Sequence, residues 1–128
     1  MKEYAITENH LFVKAYSSQN RYVTPRISVY ILKDLKARRL MTENPLKQYI
    51  NRIGFSATPK LGNAVVRNRC KRIMRAAYRN VNSEMPLKKG YLIVISARSG
   101  AVGSCSAVIY SDLCKAFGHL GLIRTENN

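Results

Sequence analysis

Acidic side chains are scarce in this sequence. Seven Asp and Glu stand against 22 Lys and Arg, which gives a formal net charge of +15, and no acid occurs between Glu43 and Glu84. Such an excess of cations attracts phosphate groups and repels other basic surfaces. The composition therefore predicts a protein that binds a polyanion.

The sequence also lacks the groups of residues that carry out phosphodiester hydrolysis. Its acids are scattered along the chain, whereas a two-metal nuclease needs clustered carboxylates. His10 and His119 lie at opposite ends of the sequence without a surrounding motif, so we expect them to be surface or packing residues. Phosphate-binding glycine loops, dinucleotide fingerprints and zinc-ligand spacings are absent from the sequence. We therefore predict no catalytic residue and no metal site on this chain.

Cysteines are few, and their number and spacing argue against a disulfide framework. Cys70, Cys105 and Cys114 form an odd set without CxxC spacing, which indicates a reduced, cytoplasmic setting. No apolar run approaches the roughly 18 residues of a membrane-spanning helix. The N-terminal stretch MKEYAITENH lacks the apolar core of a signal peptide. The sequence thus indicates neither a membrane association nor a protein partner.

Apolar residues are plentiful enough for one packed domain. With 46% hydrophobic residues in 128 positions, we expect a single domain spanning residues 1–128. Hydrophobic periodicity predicts strands at 27–33, 49–58 and 91–97, helices at 7–18, 63–79 and 107–120, a turn at 20–25 and a long basic connection at 34–47. The order α-β-β-α-β-α predicts an α/β (α+β) two-layer sandwich with a small mixed sheet. Its second helix lies in a βαβ unit.

Cations are concentrated in one stretch, residues 60–79, which reads KLGNAVVRNRCKRIMRAAYR and contains no acid. Gly62 can adopt the backbone conformation of a turn, and Asn63 can cap the helix that follows. The predicted helix at 63–79 therefore carries most of the local positive charge.

The two sides of this helix differ in character. At about 100° per residue, the apolar residues collect on one side, while Arg67, Lys71 and Arg75 follow one another at i, i+4 and i+8 as a ridge on the other. Solvated helices commonly mix both signs of charge, whereas stacked like charges repel each other. A solvated face is thus the weaker interpretation, and a polyanion-binding face is favoured. The apolar side contains Val66, Cys70, Ile73, Met74 and Ala77.

Three aromatic residues have two interpretations. Phe12 and Tyr16 stand at i and i+4 in the first predicted helix, and Tyr30 points away from the more apolar face of its strand. Aromatic pairs at helical spacing are usually core residues. Rings of this kind also serve as stacking platforms for unpaired bases. The residues alone leave both interpretations open.

The basic stretch closely resembles the signature of the bacterial ribonuclease P protein family. That signature has a Gly-Asn-Ala-Val turn followed by Arg-Asn-Arg, Lys-Arg and a further Arg, which stand here at 62–65, 67–69, 71–72 and 75. The aromatic pair, Tyr30 and the stretch RIGFS at 52–56 also have the family's order and spacing. The resemblance covers nearly the whole chain.

The resemblance implies the protein subunit of an endoribonuclease, which binds the catalytic RNA and the 5′ leader of precursor tRNA to promote 5′ maturation of tRNA. Cleavage then belongs to the RNA subunit, which mainly holds the Mg²⁺. The family fold implies a left-handed crossover in the βαβ unit, where a right-handed one is usual. The implied RNA-binding residues are Lys60, Asn63, Arg67, Asn68, Arg69, Lys71, Arg72 and Arg75, and Phe12, Tyr16 and Tyr30 are implied to line a leader-binding cleft between the sheet and the basic helix.

Two departures and two alternatives accompany this interpretation. The connection at 34–47 looks longer than is usual in the family, and Thr58-Pro59-Lys60 replaces a more basic approach to the signature. A general RNA-binding or ribosomal protein of similar fold is the alternative function. A DNA-binding regulator fits less well, because long apolar strands are unusual beside a helix-turn-helix.

Overall fold

The structure, a computed structural model, describes residues 4–5, 9–33, 51–85, 87–88 and 90–123. The predicted connection at 34–47 and the first residues of the strand predicted at 49–58 lie outside the described residues, as does the predicted start of the first helix.

Within the described ranges, a five-stranded mixed sheet is flanked by three helices. Its order is β1-β4-β5-β3-β2. Strands β1, β4 and β5 run parallel, whereas β3 is antiparallel to both β5 and β2. The strands are β1 Tyr4–Ala5, β2 Arg21–Val23, β3 Ile27–Lys33, β4 Arg52–Ser56 and β5 Tyr91–Ala97. The helices are α1 Asn9–Tyr16, α2 Ala64–Glu84 and α3 Ser106–His119, with short 3-10 turns at Pro59–Leu61 and Ser99–Ala101.

The architecture confirms the predicted α/β (α+β) class and corrects several boundaries. Residues 20–25 were predicted as a turn only, yet Arg21–Val23 pairs with β3 as a short edge strand. The basic helix was predicted to end at residue 79 and continues to Glu84. The reason is Val81, which is fully buried and extends the stripe of Cys70, Met74 and Ala77 by another turn.

The sheet is packed on both faces, because side chains of a strand alternate between them. Ile27, Val29 and Ile31 of β3 join the core beneath α2 and α3. Tyr30 and Leu32 point to the opposite face, where they pack with Leu92, Val94 and residues of α1. The sheet with α2 and α3 on one face forms the predicted two layers, and α1 adds a partial third layer on the other face.

Helix α2 begins as its sequence predicts. Gly62 has φ 144°, and a Cβ added there would lie 3.2 Å from the Val66 side chain, so glycine suits both the turn and the space. The Asn63 side chain accepts a hydrogen bond from the backbone N–H of Val66 at 3.1 Å. This cap satisfies one of the free N–H groups of the first turn.

Helix α2 connects two neighbouring parallel strands, β4 and β5, so the predicted βαβ unit is confirmed. The left-handed crossover stays a prediction. Because parallel strands end at the same edge of a sheet, α2 and α3, which follow β4 and β5, both begin at that edge. In the part of the chain described here, no helix is both long and apolar enough to cross a membrane.

Candidate nucleic-acid interface

The polar and basic residues of α2 form a strip along one side of the helix. This basic strip consists of Arg67, Asn68, Arg69, Lys71, Arg72 and Arg75. Asn68, Arg69 and Arg72 are exposed. The predicted ridge is half-buried and lies at the border of the buried stripe, not on the far side of the helix as predicted. Its residues have packed stems and positions limited by their neighbours.

Three arginines of the strip have different surroundings. The Nε of Arg67 is buried and has no hydrogen-bond partner among the described residues. A terminal nitrogen of Arg69 donates to the backbone carbonyl of Ser104 at 2.9 Å, which links the start of α2 to the start of α3. The guanidinium of Arg75 lies over the ring of Phe55, 5.4 Å from its centroid. The sequence motif does not distinguish these three arginines, whereas their contacts in the folded protein differ.

Two further predicted residues lie at the beginning of α2. Lys60 is exposed in the 3-10 turn Pro59–Leu61. The carbonyl oxygen of the exposed Asn63 side chain accepts the capping hydrogen bond, which leaves its amide N–H groups as donors for a ligand. The RNA-binding roles predicted for both residues stay predictions.

The acids that the structure describes are engaged away from the basic strip. Asp112 is buried and accepts hydrogen bonds from Arg26 at 2.6 and 2.9 Å and from Thr24 at 3.2 Å. The hydrogen bond to Asp112 raises the pKa of Arg26. Glu84 accepts a hydrogen bond from the hydroxyl of Tyr110, and this bond is the main reason that the pKa of Tyr110 rises to about 12.

The arginines and lysine of the strip consequently have no carboxylate at salt-bridge distance among the described residues. Uncompensated like charges on one helix repel each other, and an incoming polyanion relieves that repulsion. The strip therefore has the electrostatics of a polyanion-binding surface.

The three predicted aromatic residues form a second surface, beside α1. This aromatic surface consists of Phe12, Tyr16 and Tyr30. Tyr16 meets Tyr30 edge to face, with ring centroids 5.2 Å apart. The Tyr16 hydroxyl donates to Ser56 Oγ at 2.8 Å, and Ser56 Oγ in turn lies 3.1 Å from Ser96 Oγ. Two strands of the sheet thus help to fix the orientation of the Tyr16 ring.

The predicted position of the leader-binding cleft, between the sheet and the basic helix, is wrong. Tyr30 alternates with Val29 and Ile31, which pack beneath α2 and α3, so its ring lies on the opposite face with α1. The fold brings the three aromatic residues together, but on a different face from the core side of α2. Ser56, the last residue of β4, contacts Tyr16 of the aromatic surface, and residues 57–63 lead from it into α2, which carries the basic strip.

The aromatic residues combine the two roles left open by the sequence. Phe12 and Tyr30 are half-buried against Ala15, Leu92 and Val94, whereas 37% of Tyr16 is exposed. These side chains support α1 and still present ring surface to solvent. Ser56 and Ser96 were missed as part of this surface, although their place on the face of Tyr30 follows from strand alternation.

Metal ligands are not grouped in the described ranges. No cluster of three or more His, Cys, Asp or Glu occurs there, and both described acids already have protein partners. The expectation that Mg²⁺ is held mainly by the RNA subunit stays a prediction. Cys70 is buried in the core, as predicted.

A small mixed α+β domain whose basic helix has no neutralising acids is typical of nucleic-acid-binding proteins. Residues 1–121 match the family model described as Ribonuclease P. The chain is 32% identical over 123 residues to the ribonuclease P protein component of Clostridium acetobutylicum, covering 96% of this chain and 93% of that protein. It is 35% identical to the ribonuclease P protein component of Symbiobacterium thermophilum, covering 88% and 97%. The chain therefore belongs to the ribonuclease P protein family.

Solved structures of similar fold agree with this assignment. The RNase P protein of Staphylococcus aureus superposes with a TM-score of 0.72 at 24% identity, covering 96% of this chain and all of that one. The RNase P protein of Thermotoga maritima has a TM-score of 0.65 at 18% identity, covering 87% and 92%. At these identities the likeness supports the fold.

Proposed function

We propose that this chain is the RNA-binding protein subunit of ribonuclease P, the endoribonuclease that matures the 5′ end of tRNA. The observation that carries the proposal is the family match over residues 1–121, and the unneutralised basic strip lies within that match. In this function the chain binds the catalytic RNA and precursor tRNA. The RNA subunit cleaves the phosphodiester bond, and its Mg²⁺ supplies the metal chemistry.

The basic strip is the proposed contact with RNA phosphates. Arginine and lysine that neutralise phosphates release counterions, which makes binding strongly dependent on salt. Arg67 supports this role because it is half-buried at the border of the helix and has no carboxylate at salt-bridge distance among the described residues. Lys60, Asn68, Lys71 and Arg72 extend the same contact.

The aromatic surface is the proposed contact with the single-stranded leader. Unpaired bases stack on aromatic rings without needing a fixed sequence. Tyr16 is suited to this role because its ring is partly exposed and its hydroxyl is held by Ser56. A leader on this surface and a catalytic RNA on the strip would meet near the carboxyl end of β4. The cytoplasmic location predicted from the sequence stays a prediction.

The experiment that tests this function is cleavage of precursor tRNA by a bacterial ribonuclease P RNA at low Mg²⁺, with and without the protein. We expect cleavage to require the protein under these conditions, and the RNA alone at high Mg²⁺ is the control. A double variant, Arg67→Ala with Arg72→Ala, should need more protein for equal stimulation. Lys115→Ala, an exposed cation of α3, should behave like the wild type.

The opposite result would favour the alternative function. If the protein binds RNA tightly and in a salt-sensitive manner but never stimulates cleavage, the chain is a general RNA-binding protein of this fold.

A further inference from the structure

Arg75 and Phe55 form the end of a row of stacked side chains that continues into the core. The Arg75 guanidinium lies 5.4 Å from the centroid of the Phe55 ring. Phe55 meets Tyr78 edge to face at 6.2 Å, and Tyr78 meets Phe117 in the same way at 6.3 Å. Phe117 is fully buried and Tyr78 nearly so. The position of the Phe55 ring is therefore set by the core, and Arg75 rests on it.

This contact restricts Arg75 without occupying its hydrogen-bond donors. A guanidinium is attracted to the electron-rich face of an aromatic ring. Arg75 donates to no oxygen acceptor in the described part of the chain, so its planar set of N–H groups stays available for a phosphate. Arg72 provides the contrast, since it is exposed and has no ring contact with any described residue.

A side chain that is ordered before binding loses less conformational freedom when its ligand arrives. Immobilising a long, flexible side chain at an interface opposes binding. The ring of Phe55 already limits the positions that the Arg75 guanidinium can adopt. The Arg75 side chain is thus already partly ordered in the free protein, and its guanidinium lies between α2 and Phe55 of β4.

We propose that Phe55 is a positioning residue for RNA binding, which acts through Arg75 by holding its guanidinium in place for a phosphate. This inference rests on the proposed function, because it requires Arg75 to contact RNA. It adds a residue of the sheet to a surface otherwise made by α2 and the turn that precedes it. Phe55 itself does not need to touch the RNA.

A double-mutant cycle on the full chain tests the inference, with affinity for ribonuclease P RNA as the measurement. Phe55→Leu should weaken binding about two- to five-fold in the wild-type background, which corresponds to an exposed cation–π contact. In the Arg75→Ala background the same change should have no further effect. Phe55→Tyr keeps the ring and should restore wild-type affinity. Arg75→Ala should also reduce the salt dependence by about one phosphate contact.

Two matched controls separate positioning from a loss of stability. The cycle of Phe55→Leu with Arg72→Ala should show independent effects, because Arg72 does not rest on the ring. Tyr22→Leu removes a half-buried ring that lies outside this row and packs on His119, and it should leave RNA affinity unchanged. In the wild-type protein, the δ-methylene protons of Arg75 should show an upfield ring-current shift by NMR, a readout that needs no variant to fold.

Several results would overturn the inference. The inference fails if Phe55→Leu has the same effect with and without Arg75, or if Tyr22→Leu weakens RNA binding as much as Phe55→Leu does. It also fails if the Arg75 δ-methylene protons show no upfield shift. If Arg75→Ala leaves RNA affinity unchanged, Arg75 is not part of the RNA contact and the inference fails with it. The cleavage experiment then still decides the proposed function independently.

Discussion

The two faces of the sheet are built from the same strands and differ in almost every other respect. Beneath α2 and α3, Ile27, Val29, Ile93 and Ile95 are all fully buried. On the α1 side, the alternate positions combine the buried Leu92 and Val94 with the half-buried Tyr30 and Leu32 and with serines. The face beneath α2 and α3 is buried at its centre and half-buried at residues such as Phe55, whereas the other face is covered only in part by an eight-residue helix.

This difference shows how a small domain separates stability from recognition. Burial of apolar surface is the main stabilising contribution to folding, and the face beneath α2 and α3 supplies most of it. The α1 face contributes less and keeps ring surface and hydroxyl groups accessible. The basic strip is separate from both, because it lies on the outer border of a helix whose inner side belongs to the core.

The first prediction compares one residue from each face. Ile93→Ala should lower the free energy of unfolding by about 2–5 kcal/mol, because it creates a cavity in the fully buried face. Leu32→Ala on the half-covered face should lower it by about 1–2 kcal/mol, because the Leu32 side chain is only half-buried and loses less apolar burial. Urea denaturation of both variants measures the difference. Equal losses would show that the α1 face is as much a part of the core as the other.

The strongest elements of the fold could be predicted because their signals are local. Strands β3 and β5 have the predicted ends, since seven-residue alternating or continuous apolar runs define them. Strand β2 could not be predicted in this way. Its three residues carry too short a pattern, and its pairing with β3 is what stabilises it. The end of α2 was missed because polar residues surround Val81, whose burial depends on the packed core.

The second prediction concerns the α1 face alone. Tyr30→Ala should leave binding to the catalytic RNA unchanged and weaken the preference for precursor over mature tRNA, because a stacked base contributes about 1–3 kcal/mol. Tyr30→Phe keeps the ring and should retain the preference. Competition binding of the two tRNA forms to the reconstituted complex measures it. Global unfolding of Tyr30→Ala by circular dichroism would instead assign Tyr30 to the core.

The sequence predicted which residues belong to the candidate site, but not which contacts they make in the folded protein. The signature identified the cations of the basic strip, and the pairing of Phe12 with Tyr16 identified two of the three residues of the aromatic surface. The contacts of Arg69 with Ser104 and of Arg75 with Phe55 join residues that are distant in the sequence. Such contacts depend on tertiary packing, which periodicity along one segment does not report.

The third prediction concerns a polar contact at the margin of the fully buried face, where Tyr110 of α3 donates to Glu84 at the end of α2. In the folded protein the hydrogen bond to Glu84 raises the pKa of Tyr110 to about 12, from 10.0 for an unperturbed tyrosine. The folded state therefore binds this proton where the unfolded state has lost it, and the associated stability is present below pH 10 and decreases as the pH rises towards 12. The midpoint temperature of thermal unfolding should thus fall more steeply between pH 10 and pH 12 for the wild type than for Tyr110→Phe, which has no hydroxyl to titrate. Glu84→Gln should make this fall less steep as well, because it removes the negative charge that retains the Tyr110 proton. If the midpoint temperatures of all three proteins fall in parallel with pH, the contact does not stabilise the fold.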